Sequence, residues 1–278
     1  MAALPFLVTG ATGRIGRALR AGWAPEGHPG LRPVWQAREA RPGFVDWDIL
    51  HAPCPEGAAS GVVLALAGGK AAGEANTDLA LATMQAARDQ GARHVFLMSS
   101  SAVYGASDTR LSEDTPPAPL AAYGLQKLAM EHAAQSFADS AALGLTVLRL
   151  GNVAGFDALL GGVRPGRRVV LDPVPGAQGG PMRSYIGPVS LGRVLAGLAA
   201  LAAAGAPLPE VLNIAAPAPV RMGALLDAAG IDWRYGPENP GVLPRVVLDT
   251  GRLQALHPLP ARTATAGELV AEWREVMP

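Results

Sequence analysis

Short, continuous apolar runs alternate with segments of helical character along the first half of the chain. The runs Pro5–Thr9, Val62–Ala67 and His94–Ser99 are apolar at nearly every position, which is typical of strands covered on both faces. Leu79–Gln90 and Tyr123–Ala142 are rich in helix-forming residues and end near glycines, so each predicts a helix. The other predicted elements are a helix at Ile15–Trp23 and strands at Leu31–Arg38, Phe44–Asp46 and Thr146–Leu150. This alternation predicts an α/β fold with a doubly wound parallel sheet.

The pattern changes after residue 150. Residues 155–182 are rich in Gly, Pro and Arg, which predicts loops that cross a substrate pocket. Val189–Ala204 predicts a further helix and Val211–Ala215 a further strand, and the proline-rich tail predicts a small irregular cap. We therefore expect a nucleotide-binding domain of Rossmann type at 1–150, and a mixed region at 151–278 that completes the sheet and forms a small C-terminal substrate cap.

Composition narrows the range of partners. The 278 residues carry 23 Lys+Arg and 23 Asp+Glu, so the formal net charge is zero and gives no electrostatic reason to expect nucleic acid or an anionic membrane. Charge near zero also favours self-association, and we expect a homodimer. The single cysteine, Cys54, excludes an intramolecular disulfide and a thiolate metal cluster, and the five scattered histidines offer no metal-ligand set.

Neither a leader nor a membrane span is predicted. The opening residues Met-Ala-Ala-Leu-Pro lack the basic start and apolar core of a signal peptide. The most apolar stretch, Leu191–Leu208, consists mainly of Ala and Gly and is interrupted by Arg193, so it predicts a buried helix. We therefore expect a cytoplasmic protein.

A glycine-rich loop joins the first predicted strand to the first predicted helix. Its glycines follow a Gly-x-x-Gly-x-x-Gly spacing, and such a loop lets the backbone approach a pyrophosphate at a helix N-terminus. The alternative is an ordinary tight turn, but the strand before the loop and the helix after it supply the context that a dinucleotide site requires. The predicted cofactor-binding residues of the loop are Gly10, Thr12, Gly13, Arg14, Ile15 and Gly16.

The end of the second strand bears on which cofactor is bound. Gln36, Ala37 and Arg38 include no acid that would accept hydrogen bonds from the ribose hydroxyls of NAD, although Glu39 follows. Arg38 instead predicts a contact with the 2′-phosphate of NADP, with a solvent-facing arginine and NAD as the alternative. Asp48 and Ile49, after the third strand, are candidate contacts for the adenine.

Tyr123 and Lys127 are the candidate catalytic pair. They lie four residues apart at the start of a predicted helix and therefore on one helical face. A free phenol has a pKa of about 10, and a neighbouring ammonium lowers it towards the range of a general base. Ser100 follows a buried strand, where a hydroxyl can stabilise charge on a substrate oxygen; Ser101 is its near rival.

Taken in this order, the motifs resemble those of the extended short-chain dehydrogenase/reductase family, in its nucleotide-sugar epimerase/dehydratase branch. Leu64–Gly68 resembles the family's His-Leu-Ala-Ala segment, with Ala65 replacing the histidine, and implies that Leu66 and Ala67 contact the cofactor. Asn76 matches an Asn near the cofactor. For the substrate, the resemblance implies three contacts, at Ser101, Asn152 and Arg183.

The resemblance implies hydride transfer at a hydroxyl or carbonyl carbon, with Tyr123 moving the proton, Ser100 orienting the oxygen and Lys127 holding the ribose. Ser101-Ala102 stands where family dehydratases have an Asp-Glu pair, which disfavours dehydration, while epimerisation and net reduction both remain open. The alternatives are a non-catalytic NADP(H)-binding sensor and an assembly role through the helices. Four more arginines are candidates for an anion site: Arg149, Arg164, Arg167 and Arg168.

Overall fold

The computed structural model describes residues 3–23, 30–68, 73, 75–164 and 166–277. Met1 and Ala2, at which the prediction about a signal peptide begins, lie outside the described residues. The chain forms a seven-stranded parallel sheet in the order β11-β6-β5-β4-β1-β2-β3. Its strands are β1 Leu4–Val8, β2 Leu31–Ala37, β3 Val45–Asp46, β4 Val62–Ala65, β5 His94–Ser100, β6 Leu145–Leu150 and β11 Val211–Ile214. The predicted α/β fold with a doubly wound parallel sheet is confirmed.

Helices cover both faces of this sheet. They are α1 Arg14–Gly22, α2 Ala75–Asp89, α3 Ala122–Ala141 and α4 Pro188–Ala203. Val62 and Leu64 of β4 pack in one cluster with residues of α1 and α4, whereas Val63 and Ala65 pack in another with residues of α2 and α3. Because successive strand side chains point to opposite faces and both faces are covered, the strand is apolar at every position.

The strand order reverses at β1, which lies between β2 and β4. In open parallel sheets, ligands bind outside the carboxyl ends of the strands at such a switch point. The loop of residues 9–13 lies at this place because it follows β1 directly and leads into α1. The topology therefore locates the candidate site before any side chain is considered.

The second half of the chain contains more regular structure than the sequence predicts. The strands are β7 Asn152–Val153, β8 Val169–Leu171, β9 Met182–Arg183, β10 Tyr185–Ile186, β12 Val220–Arg221, β13 Trp233–Tyr235 and β14 Arg245–Val246. The helices are α5 Met222–Ala229, α6 Gly251–Leu256 and α7 Ala266–Val276. The prediction of an irregular tail is therefore wrong. Helices α5 and α7 form there because they pack together through Leu225, Leu226, Leu269 and Val270.

Within the described residues, none of the helices is both long enough and apolar enough to cross a membrane. Residues 191–203 of the apolar stretch belong to α4, whose residues are mostly buried against the sheet and α1.

Candidate active site

A crevice of about 1100 Å³ runs along the carboxyl ends of β1, β2, β4, β5 and β6. Segments from the second half of the chain close its other side, including Arg183 of β9, Met222 of α5 and Val246 of β14. Almost all of the predicted site residues lie in its wall. They are Gly10, Thr12, Gly13, Arg14, Ile15, Gly16, Arg38, Asp48, Ile49, Leu66, Ala67, Ser100, Ser101, Tyr123, Lys127, Asn152 and Arg183.

The glycine loop has no room for side chains at its two ends. Gly10 has a φ of +66°, and a Cβ there would lie 2.7 Å from the Cα of Ala67. A Cβ on Gly16 would lie 2.5 Å from the Cα of Ala11. Gly13 is the N-cap residue of α1 and has no side chain that could accept a hydrogen bond. The first backbone amides of the helix therefore face the crevice uncapped. The missing side chains therefore let the loop pack tightly against the start of α1 and the residues after β4, and the start of α1 offers the amide donors that a pyrophosphate requires.

Thr9 holds the loop against the neighbouring strand, and the sequence analysis did not single it out. Its fully buried hydroxyl accepts hydrogen bonds from the backbone N–H of Leu66 at 3.0 Å and of Ala67 at 3.1 Å. Its position between a buried strand and the first glycine is the sequence signal that could have identified it. Thr9 thereby fixes the ends of β1 and β4 at the switch point.

Gln36 occupies the end of β2 where an acidic residue would contact ribose hydroxyls. Its side chain is buried, accepts a hydrogen bond from the N–H of Gly10 at 2.7 Å and donates to the carbonyl of Trp47 at 2.6 Å. Three exposed arginines line this end of the crevice, and in the described part of the chain no acidic side chain lies within ion-pair distance of them. They are Arg14, Arg38 and Arg41.

Tyr123, Ser100 and Lys127 meet at the middle of the crevice. Tyr123 and Ser100 are joined by a side-chain hydrogen bond, and Ser100 also accepts one from the N–H of Ala102 at 3.2 Å. Tyr123 and Lys127 lie one turn apart near the start of α3. The buried Lys127 ammonium donates to the carbonyl of Met98 at 2.9 Å. Of the two candidate serines, Ser100 is the one that contacts the phenol.

Burial controls the ionisation of this group. It raises the pKa of Tyr123, and the hydrogen bond from Ser100 opposes the rise. The prediction that the Lys127 ammonium makes the phenol acidic is wrong for this structure, because desolvation dominates and the ammonium is turned towards the Met98 carbonyl. Burial also lowers the pKa of Lys127 to about 8, and the Glu131 carboxylate counteracts this.

Arg149 lies below the crevice floor and not at an anion site as predicted. It donates to Glu131 of α3 from Nη2 at 2.8 Å and from Nε at 3.2 Å, and both side chains are buried. Ser99 donates to the same carboxylate, and the Arg149 guanidinium stacks over the Tyr104 ring at 4.7 Å. Because the guanidinium is buried, bound to Glu131 through Nε and Nη2 and stacked on Tyr104, Arg149 is a structural residue of the site, although its buried Nη1 has no hydrogen-bond partner among the described residues.

Asn152 and Arg183 lie on the side of the crevice away from the glycine loop. Asn152 is hydrogen-bonded to Tyr185, whose hydroxyl donates to the Asp157 carboxylate at 2.7 Å. Burial raises the pKa of Asp157. A second cavity of about 550 Å³ adjoins this side, is also lined by Arg183, and has Arg164, Arg167 and Arg168 in its wall. Arg168 pairs with Asp232 at 2.6 Å.

Asn76 does not lie in the crevice wall that the described residues form, although it was predicted to contact the cofactor. It is buried, and its amide donates to the carbonyl of Gly73 at 2.7 Å. A Cβ on Gly68 would lie 2.3 Å from the Asn76 Oδ1. Asn76 therefore supports the loop after β4 from behind.

The switch-point crevice and its serine–tyrosine–lysine group define a Rossmann-type α/β protein with a candidate active site. The chain belongs to the NAD dependent epimerase/dehydratase family, whose profile matches residues 6–159, more than half of its length. This confirms the resemblance found in the sequence.

Individual relatives support the same assignment. UDP-glucose 4-epimerase of Corynebacterium glutamicum is 32% identical over an alignment of 174 residues, and the match covers 55% of this chain and 52% of that protein. The match thus spans about half the length of that relative. MoeE5, solved with UDP-glucuronic acid and NAD, has a TM-score of 0.75 at 24% identity and covers 98% of both chains. UDP-glucuronic acid 4-epimerase from Bacillus cereus, a mutant solved with a fluorinated substrate analogue and NAD, has a TM-score of 0.75 at 19% identity, over 98% of this chain and 99% of that one. At these identities the two structures show a shared fold.

Proposed function

We propose that the protein is an NADP-preferring oxidoreductase that transfers hydride at a hydroxyl or carbonyl carbon of a nucleotide-sugar-like substrate. The observation that carries this proposal is the position of Tyr123, which is hydrogen-bonded to Ser100 and faces the same crevice as the glycine loop. The UDP-sugars named with the similar proteins agree with this substrate class, and the NAD named with two of them agrees with a nicotinamide cofactor.

The crevice fits a dinucleotide. Without a Cβ, Gly10 packs against the backbone of Ala67, and the uncapped start of α1 offers amide donors to a pyrophosphate. Gln36 is engaged by Gly10 and Trp47, whereas Arg38 has no acidic partner among the described residues. A guanidinium in this position favours the 2′-phosphate of NADP over the free hydroxyl of NAD.

The three central residues have distinct roles in the proposed mechanism. A bound nicotinamide supplies the donor or acceptor of the hydride. Because burial favours the neutral phenol, Tyr123 holds a proton that it gives to the substrate oxygen during reduction and takes back during oxidation. Ser100 orients that oxygen and stabilises the phenolate through its hydrogen bond. The Lys127 ammonium would donate to the cofactor ribose and so hold the cofactor beside Tyr123.

The substrate side is proposed to hold a diphosphate. Arg183 lies between the crevice and the second cavity, where its guanidinium can reach a ligand that extends from one to the other. Arg164 and Arg167 are exposed in the wall of the second cavity and have no ion-pair partner in the described chain. Asn152 lies nearer the reacting centre and would contact the sugar or the adjoining phosphate.

Replacement of Tyr123 tests the enzymatic proposal. Tyr123→Phe removes the transferable proton and should lower kcat by about 10²–10⁴-fold while the dissociation constant for NADPH stays near the wild-type value. Tyr235→Phe is the matched control, because Tyr235 lies outside the crevice. Wild-type turnover by Tyr123→Phe would exclude the mechanism. Cofactor binding by the wild type without turnover of any nucleotide sugar would favour the sensor.

Replacement of Arg38 tests the cofactor preference. Arg38→Ala should weaken NADPH binding by about 10–100-fold, as expected for a lost charge-assisted hydrogen bond, and leave NADH binding unchanged. Arg32→Ala is the control, because Arg32 is an exposed arginine on the same strand and lies outside the crevice. Tighter binding of NADH than of NADPH by the wild type would refute the preference.

Whether the enzyme epimerises or reduces its substrate depends on how long the cofactor stays. A cofactor that copurifies and does not exchange favours epimerisation, and one that exchanges freely favours net reduction. Mass spectrometry of the denatured, freshly purified protein and a dialysis time course separate the two.

The homodimer and the cytoplasmic location stay predictions, and light scattering of the purified protein tests the first.

A further inference from the structure

A buried charged cluster lies one helical turn below Lys127, and the proposed mechanism does not use it. Glu131 is four residues after Lys127 on α3, so both side chains lie on one helical face. The Glu131 carboxylate is about 5% exposed and accepts hydrogen bonds from Ser99 of β5 and from Arg149 of β6. Ser99 and Arg149 are directly opposite each other in the sheet.

This cluster holds α3 against the sheet at the height of the catalytic group. Ser99 is the residue before Ser100, and Met98, whose carbonyl accepts from Lys127, is the residue before Ser99. One carboxylate therefore links the helix that carries Tyr123 and Lys127 to the strand that carries Ser100. If Glu131 were displaced, Tyr123 and Lys127 would move relative to Ser100.

Glu131 also acts on Lys127 by its charge. Lys127 is buried, and the groups close to its ammonium are the Met98 carbonyl and the Met130 sulfur, at 2.9 and 3.7 Å. Burial favours the neutral amine, and the Glu131 carboxylate is the charge that opposes this.

Among the described residues, few other ionisable groups face Lys127. Tyr123 shares its helix, Arg149 of β6 is bound to Glu131, and Tyr104 is stacked on Arg149. In the described part of α2, which packs along α3, the ionisable side chains Asp78, Arg88 and Asp89 are all exposed.

We propose that Glu131 is a positioning residue that keeps the Lys127 ammonium charged and fixed beside Tyr123. It touches neither cofactor nor substrate and acts through Lys127 and Ser99. The proposal rests on the proposed function, because it assigns Lys127 to the cofactor ribose. It predicts that cofactor affinity depends on pH, because Lys127 binds the ribose in its protonated form and Glu131 stabilises that form.

The test is NADPH binding, followed by fluorescence between pH 6 and 10, for the full-length wild type and four variants. Wild-type affinity should fall as pH rises through about 8, where Lys127 loses its proton. Glu131→Gln should move this midpoint down by about one pH unit, because the stabilising charge is gone. Arg149→Met should move it up, because the positive charge that compensates the Glu131 carboxylate is then gone. Glu131→Asp keeps the charge and should keep the wild-type midpoint.

The opposite shifts separate a charge effect from a structural one. Glu131→Gln and Arg149→Met break the same ion pair, so a merely structural brace predicts the same change in both, and equal shifts would overturn the proposal. Asp139→Asn removes a carboxylate from an exposed position on α3 and should leave the midpoint unchanged. If Glu131→Gln does not fold, the Arg149→Met and Glu131→Asp midpoints decide.

The outcomes also distinguish this inference from the function on which it rests. Wild-type binding of NADPH with no dependence on pH would refute the inference and leave the function standing. Wild-type protein that binds neither NADPH nor NADH at any pH would refute the proposed function, and the inference with it.

Discussion

At the scale of single residues, Gly16 is the position where the first helix comes closest to the glycine loop. A Cβ there would lie 2.5 Å from the Cα of Ala11 and 2.6 Å from the carbonyl oxygen of Gly10. Both contacts are with backbone, so Gly16→Ala must push the loop away from α1. We expect a loss of about 1–3 kcal/mol in the free energy of unfolding, measured in urea, together with weaker NADPH binding.

Gly267 provides the control for this prediction. It lies in helix α7, and a Cβ there would meet nothing within 4 Å. Gly267→Ala should therefore stabilise the protein, by up to about 1 kcal/mol, through helix propensity alone. If both substitutions changed stability in the same direction, the close approach at Gly16 would not be the cause.

His94, the first residue of β5, is expected to make the protein acid-sensitive. Burial lowers the pKa of His94 from 6.5 to about 4. The unfolded chain therefore binds a proton that the folded chain does not, and stability is lost as pH falls from 6.5 towards 4, by about 3 kcal/mol at most. His94→Gln should remove this part of the slope in urea unfolding between pH 7.5 and 4.5.

Thr146 allows a control in which the imidazole stays buried. Its hydroxyl is 3.0 Å from His94 Nε2 and donates to the carbonyl of Pro209 at 2.7 Å, so Thr146→Val removes both hydrogen bonds while the imidazole remains. The variant should be less stable at every pH but should keep the wild-type slope. A wild-type slope in His94→Gln would assign the acid sensitivity to another group.

The candidate site was largely predictable because its residues follow strand ends in chain order. The crevice wall contains the predicted loop, Ser100, Tyr123 and Lys127. The sequence could not show that Arg149 is turned towards Glu131, since this pairing joins residues 18 apart on different elements. It also could not show the sign of the Tyr123 pKa shift, because desolvation depends on the tertiary packing around the phenol.

At the scale of elements, the start of helix α4 is capped by a residue from the end of the chain. The Glu272 carboxylate of α7 accepts from the N–H of Ser190 at 2.7 Å, and it is buried. The helix has no cap from its own N-terminal residues, since Gly187 precedes it. A carboxylate at this end also interacts favourably with the helix dipole.

We therefore expect Glu272→Ala to destabilise the protein by about 1–3 kcal/mol, because it leaves buried donors of Ser190 unpaired. Glu275, an exposed residue of the same helix, is the control, and Glu275→Ala should change stability by less than about 0.5 kcal/mol. Urea unfolding of both variants measures the difference. A small effect of Glu272→Ala would mean that water replaces the carboxylate.

Elements in the first half of the chain were predicted within a few residues, whereas the short helices of the tail were missed. Strand β4 is apolar throughout and β5 is apolar from Val95 to Met98 because both sheet faces are covered, and that pattern can be read locally. Helix α5 has only eight residues and α6 only six, too few turns for a period to emerge. Their stability depends on partners distant in sequence, such as α7 for α5.

At the scale of the whole molecule, the two halves of the chain build one sheet and one crevice. Strand β11 pairs with β6 along four residues, and Leu191, Val194 and Leu198 of α4 pack in one cluster with the strands of the first half. A chain that ends at residue 150 would leave β6 as an open edge and one face of the sheet mostly uncovered. Residues 1–150 therefore carry the nucleotide-binding motifs but are not expected to fold alone.

Expression of residues 1–150 and 151–278 as separate fragments tests this prediction. The first fragment should show no cooperative transition in urea by circular dichroism and no NADPH binding, whereas the full chain should unfold in one transition that NADPH shifts upwards. At a ligand concentration of 100 times the dissociation constant, that shift corresponds to about 2.7 kcal/mol. Mixing the fragments should restore part of the binding, because the missing strand and helix return with 151–278. Cooperative unfolding and full NADPH affinity in 1–150 alone would show instead that α1, α2 and α3 suffice to cover the sheet, and that the second half is a separable cap.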